Sequence, residues 1–249
     1  MRSGILRILL TALAGVLLFV TTASAGTLLV SQETPCLGYG YGLSSWNTFS
    51  ADINSAFGGS GNVTVNGADL DNLGYMLTFS ALMVDARQPY GQVLSAREIA
   101  NITAYEATGR RVLLIGENSN WADWNTSILA TVGGTYGGGG NSASVVDRVV
   151  TDSITVGSPT LNLLGDGIAV GGLSLYSENV VTQWGAGNVV SLLSVNVQQD
   201  GMGNDAFDNN LAIWLASGES PTQAPEPGTL FMLGSGLVGL GVMLRRVRR

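Results

Sequence analysis

"LSAREIANITAYEATGRRVLLIGEN", Leu94 to Asn118, holds the alternation on which the fold turns. Ser95-Ala96-Arg97-Glu98 has the Ser-x-x-Glu spacing in which each side chain can serve the other's backbone N–H, so it opens a helix. That helix is expected to run to about Thr108, where Gly109 stops it. Arg111 to Ile115 follows at once, short, apolar and of buried-strand type. A helix joined by a tight connection to a buried strand is the unit of a parallel sheet.

The same reading extends outward from that stretch. Phe79 to Val84 is an apolar run ending at Asp85, a strand that feeds the helix. Thr27 to Val30 is a first strand, Leu43 to Phe57 a helix ended by Gly58-Gly59, and Asn62 to Val65 a short β-branched strand. Downstream, Trp121, Trp124, Ile128 and Leu129 mark one helix face, which Gly133-Gly134 closes. Val189 to Val197 is the last core strand, and Phe207, Leu211, Trp214 and Leu215 line a final amphipathic helix. Between them, Thr135 to Gln183 is rich in glycine, threonine, serine and valine, which suggests inserted β-hairpins before the sheet resumes. Gly137 to Gly140 within it reads as a flexible turn, because a phosphate cradle needs a helix behind the glycines and a lysine. The expected fold is α/β, a three-layer, mainly parallel sheet with a β-hairpin-rich insertion. The glycine-rich hairpins leave an all-β adhesin-like sandwich as the alternative.

Composition removes several chemistries. The 249 residues include no histidine and no lysine, and Cys36 is the single cysteine. Ser-His-Asp and Cys-His arrangements, histidine-ligated zinc and lysine-based catalysis are therefore excluded, as is an internal disulfide. Across residues 26–224 five arginines face seventeen carboxylates, a balance of −12, and that field repels nucleic acid. Cys36 reads as a small, partly buried apolar residue rather than a reactive thiol.

What remains is carboxylates, hydroxyls and backbone amides. Open α/β sheets bind ligands beyond the carboxyl ends of their strands. That edge should carry Asp85 and Arg87, then Glu117, Asn118 and Ser119, then Asp200. Glu117 and Asp200 could do acid–base work on a glycan or hold a cation, which gives a carboxylate-dependent hydrolase as a second functional reading. Otherwise these residues cap helices, pair with Arg87 or face water. In Asp200 to Asn210, Asp200, Asn204 and Asp205 are weak candidates for calcium, but the spacing is not that of an EF-hand. Asp205 and Asp208 read more simply as acidic residues at a helix N-terminus, and no cofactor is expected beyond that calcium candidate.

Taken together, "FSALMVDA", "LSAREIANITAYEATGRRVLLIGEN" and "DNNLAIWLAS" resemble the flavodoxin-like domain of class I glutamine amidotransferases and their non-catalytic relatives. The resemblance implies a nucleophilic cysteine on the sharp turn after the Val112–Ile115 strand. Here that turn reads Gly116-Glu117-Asn118-Ser119, so the nucleophile and its histidine base are both missing.

The two ends carry targeting signals. Arg2 and Arg7, an apolar run from Ile8 to Val20 and Ala23-Ser24-Ala25 make a signal peptide over 1–25, which implies the secretion machinery and signal peptidase as partners. A domain over 26–218 and a linker over 219–224 follow. The tail, residues 225–249, holds Pro225-Glu226-Pro227, a glycine-rich apolar run from Gly228 to Leu244, and Arg245, Arg246, Arg248 and Arg249. It resembles the PEP-CTERM sorting signal. The resemblance implies processing by exosortase at or near the triplet, a Gram-negative envelope or surface location, and an association with exopolysaccharide and biofilm. The arginines should hold the C-terminus in the cytoplasm and leave the domain on the periplasmic side, anchored by a short transmembrane helix over 228–244. The expected protein is therefore exported, transiently anchored and then surface- or matrix-located, with a non-catalytic interaction domain.

Overall fold

The computed structural model describes residues 26–67 and 69–218. The expected signal peptide, linker, sorting triplet and membrane span lie outside the described residues. In chain order the elements are β1 (Leu28–Ser31), α1 (Asn47–Ala56), β2 (Val63–Asn66), α2 (Leu73–Met76), β3 (Ala81–Val84), α3 (Ala96–Glu106), β4 (Arg111–Ile115), α4 (Ala122–Ala130), β5 (Thr135–Gly140), β6 (Ser144–Asp147), β7 (Thr160–Leu163), β8 (Asp166–Val170), β9 (Leu173–Ser174), β10 (Val181–Trp184), β11 (Val189–Leu192) and α5 (Asp205–Ala216).

The central sheet has the order β2-β1-β3-β4-β11-β10-β9. Its first five strands are parallel, and β10 and β9 join antiparallel at the far edge. β1, β3 and β11 are buried at every position, as strands covered on both faces must be. α1 packs with α5 and α3 with α4, and these pairs form the two covering layers. The chain is thus mixed α/β with a mostly parallel sheet, and the all-β sandwich is overturned.

The deciding stretch folds as its local chemistry requires. Ser95 Oγ accepts from the Glu98 N–H at 3.1 Å while Glu98 Oε2 accepts from the Ser95 N–H at 2.7 Å, so the capping box is complete. α3 then runs into Gly109, whose φ of +80° suits a glycine, and β4 spans the expected residues. The strand expected over Val189 to Val197 is shorter. It ends at Leu192: the Leu193 N–H still meets the Val180 carbonyl in register, but the Leu193 carbonyl accepts from the Gly167 N–H, and Val195 and Val197 are buried in the following turns instead.

The insertion differs from expectation in two respects. First, Gly137 to Gly140 is not a turn but most of β5, which pairs antiparallel with β8, while β6 pairs with β7 beyond it. β5 lies so close to β8 that a Cβ at Gly139 would stand 2.0 Å from the Asp166 carbonyl oxygen, so glycine is what admits the strand. Second, the later part of the insertion belongs to the main sheet, since β9 and β10 extend its edge.

At the opposite, amino edge of the parallel strands the two ends of the described chain come together. A Cβ on Gly26 would touch the Ala216 carbonyl at 3.7 Å, and Gly218 stands against Arg111.

Candidate functional site

Asp85 follows β3 and Glu117 follows β4 at the carboxyl edge of the sheet, as the sequence suggests. Both are deeply buried, each only 2% exposed. Glu117 Oε2 accepts from the Val195 N–H at 2.9 Å and Oε1 from Asn118 Nδ2 at 2.8 Å. Asp85 is poorly served: Oδ1 has no hydrogen-bond partner among the described residues, and Oδ2 lies 3.4 Å from the Tyr41 N–H. Burial pushes the Asp85 carboxyl up to about 7, offset only slightly by Tyr41. Burial also pushes Glu117 up to about 7 against its two hydrogen bonds, with the Asp166 charge adding to the rise. Cys36 is buried beside this pair, and its thiol is pushed up by burial first and then by Glu117 and Asp85.

The cover over these groups is the loop after β1. The Cys36 N–H donates to the Ala86 carbonyl at 3.1 Å, and the Gln88 N–H donates to the Thr34 carbonyl at 2.9 Å, so the loop runs antiparallel to the segment leaving β3. Gly40 packs on Asp85, Tyr39 Oη donates to Gln199 at 3.1 Å, and Trp46 Nε1 donates to the Val195 carbonyl at 2.9 Å. The loop therefore fills the crevice between the ends of β1 and β3.

Arg87 is a clamp on that loop. Its Nη1 lies 3.2 Å from Glu33 and its Nη2 2.6 Å from Glu98, and its guanidinium sits 5.4 Å from the Trp124 ring centre. Burial pushes the Glu98 carboxyl up, but Arg87 and the Ser95 N–H outweigh that and hold it below its ordinary value. Asn118 caps the turn into α4 by accepting from the Asn120 N–H at 3.0 Å.

Asp200 has a different station. It is exposed, and its Oδ1 accepts from the Thr48 N–H at 2.9 Å, so it ties down the amino end of α1. That backbone hydrogen bond holds its carboxyl below the usual range. Glu117 and Asp200 are each already bonded, one inside and one at the surface. Asn204 is also engaged, accepting from the Asn162 N–H at 3.0 Å and donating to the Val197 carbonyl at 2.9 Å, and Asp205 opens α5. Among the described residues no group of three or more Cys, Asp or Glu is arranged to hold a metal ion.

The turn after β4 lacks a cysteine, and its first position, Gly116, is closed to any side chain. A Cβ at Gly116 would stand 2.4 Å from Asn125 Oδ1 and 2.5 Å from Leu193. Sequence reasoning missed the burial of Asp208, which lies in the first turn of α5 with Oδ1 lacking a partner among the described residues. Burial first, then Asp52, Asp205 and Asp200, push its carboxyl well above the ordinary value. The signal was present: Asp208 precedes Leu211 by three and Leu215 by seven, on the apolar stripe.

Residues 223–249 match the PEP-CTERM protein-sorting motif. The match supports an exported, surface protein sorted through a membrane anchor, with exosortase as its processing partner. No helix among the described residues is long and apolar enough to cross a membrane. No curated protein matches the chain. Similar solved structures include the mmIFT52 N-terminal domain, with a TM-score of 0.57 at 12% identity, covering 78% of this chain and 99% of that one. A GMP synthase-type protein from Thermoplasma acidophilum gives a TM-score of 0.50 at 11% identity, over 76% of this chain and 94% of that one. A ThuA-like protein from Parabacteroides merdae gives 0.47 at 12% identity, over 80% and 92%. At such identities the likeness is one of fold alone.

Proposed function

We propose that this chain is an exported envelope or extracellular-matrix protein, held transiently in the inner membrane with its domain on the periplasmic side and released by exosortase. In this reading the α/β domain is a non-catalytic interaction module associated with exopolysaccharide or biofilm material. The observation that carries it is the sorting motif over 223–249. The non-catalytic part draws support from the same edge of the sheet where a relative with activity would work. There Gly116 has no room for a side chain, the next positions hold Glu117, Asn118 and Ser119 in place of a cysteine, and the loop after β1 covers Asp85. The hydrolase reading needs Glu117 and Asp200 to share a substrate, and their separate engagements with Val195 and Thr48 disfavour it.

The test is made in the native host. Replacing Pro225, Glu226 and Pro227 with alanine leaves the apolar run and its arginines in place, so membrane insertion should persist while release is blocked. Mass spectrometry of surface-located wild-type protein should find a C-terminus lacking residues 228–249. An intact Arg249 in all of that material would reduce the tail to an ordinary anchor.

A further inference from the structure

The two edges of the central sheet differ in charge. The segments that enter the parallel strands or end the covering helices, residues 26–27, 57–62, 77–80, 107–110, 131–134, 185–188 and 217–218, contain neither Asp nor Glu. The 16 carboxylates of the described residues (the chain's 18 less Glu219 and Glu226) all lie elsewhere. Four of them, Glu33, Asp85, Glu117 and Asp200, stand on the segments that leave the strands. The exposed residues of the amino-edge segments are all Gly, Ala, Ser or Thr, so no bulky side chain keeps a flat surface away.

Arg110 and Arg111, two of the five arginines within residues 26–224, stand at this edge and point to opposite faces of β4. Arg110 lies 5.4 Å from the Tyr105 ring centre on the α3 side and is 8% exposed. Its Nε and Nη1 have no hydrogen-bond partner among the described residues. Glu106, four residues before it, accepts from the Thr131 hydroxyl at 3.1 Å instead. Arg111 lies 5.0 Å from the Trp214 ring centre on the α5 side, its Nη1 donates to the Gly187 carbonyl at 2.5 Å, and Gly218 packs on its stem. The ion pairs among the described residues belong to Arg87, so neither of these guanidiniums is matched by a carboxylate. A guanidinium with unmet donors gains from an external anion, and phosphate oxygens fit its fork.

We propose that the amino edge is a membrane-docking face, on which Arg110 and Arg111 meet the phosphates of lipid headgroups while the tail holds the chain in the bilayer. Docking presupposes the anchored chain proposed above and adds to it a fixed orientation. Gly218 leaves beside Arg111, and the nine residues 219–227 separate it from the apolar run, a reach of about 30 Å at full extension. The carboxylates on the rest of the domain act in the same sense, since an anionic surface repels them and turns the acid-free edge inward.

The test uses the chain with residues 219–249 attached, placed either in nanodiscs of equal parts phosphatidylglycerol and phosphatidylcholine or in dodecyl maltoside micelles, which carry no phosphate. Hydrogen exchange of residues 107–111 and 185–187 should be at least about fivefold slower in the discs, the gain that one arginine makes beside an anionic surface. Raising salt from about 0.1 to 0.5 M should remove most of that difference in the wild type, which needs no variant to fold. Arg110→Gln takes away a charge with no internal partner, so α3 should keep its protection while the slowing at least halves. Equal exchange in discs and micelles, or a slowing that neither salt nor Arg110→Gln diminishes, would overturn the docking face. So would slow exchange already present in micelles, which would assign the cover to Glu219 or Glu226 of the chain itself, or the same slowing produced in micelles by inorganic phosphate. A chain that does not stay with the discs on gel filtration would sink the anchored reading and docking with it, whereas one that stays but shows no slowing sinks docking alone.

Discussion

Asp208 shows what one misplaced charge does to a packed helix. Its carboxyl sits on the apolar face of α5 with one oxygen unpartnered among the described residues, facing the charges of Asp52, Asp205 and Asp200. The folded state therefore favours the neutral acid. A carboxyl raised in this way contributes stability that is fully present below its ordinary value and lost as pH rises through the folded one. Asp208→Asn keeps the shape of the neutral acid and removes the ionisation. The variant should be more stable than the wild type at pH 8, by on the order of 1–3 kcal/mol, with the difference closing towards pH 4. Urea denaturation midpoints at the two pH values measure this, and a wild type that is the more stable at pH 8 would defeat it. At this scale the sequence was a partial guide. The ends of β3 and β4 identified Asp85 and Glu117, because strand boundaries follow from local apolar runs. Their burial was invisible, because the loop that covers them comes from elsewhere in the chain and carries no periodicity.

Among the elements, α3 and β5 stand at opposite ends of legibility. The start, stop and following strand of α3 are local, and the capping box and Gly109 announce them. Ser95→Ala should accordingly lower stability by about 1 kcal/mol, read from the thermal midpoint, since it strips one helix N–H of its acceptor. The reason for β5 is distant in sequence: its glycines exist to meet β8, and a run of glycines presents no pattern of its own. Gly139→Val should therefore force the two strands apart and cost on the order of 1–3 kcal/mol, although the same change would raise the strand propensity of an isolated segment. An unchanged midpoint in this variant would show that the close approach is not required. The joining of β9 and β10 to the main sheet was hidden for the same reason, since strand pairing is not a local property.

For the whole molecule, the buried acids set the direction of its pH response. Burial holds Asp85, Glu106 and Glu117 at about 7, so the protonated forms are the ones that suit the fold. Their contribution is complete below their ordinary values and falls away as pH rises through about 7. Glu98 and Asp200 act in the other direction: each is held below its ordinary value, so each contributes above that value and loses its contribution as pH falls. Maximum stability should thus lie on the mildly acidic side, and calorimetry should find a higher Tm at pH 5 than at pH 8. A Tm that climbs steadily to pH 8 would contradict this balance. The fold also has a geometric polarity. Gly26 and Gly218 both leave from the amino edge of the sheet. Whatever grips the residues after Gly218 therefore grips the domain by its base, and the loop over Asp85 and Glu117 becomes the far tip. The domain stands like a plug-in cassette, which another protein's surface loop could accept by the same two adjacent leads.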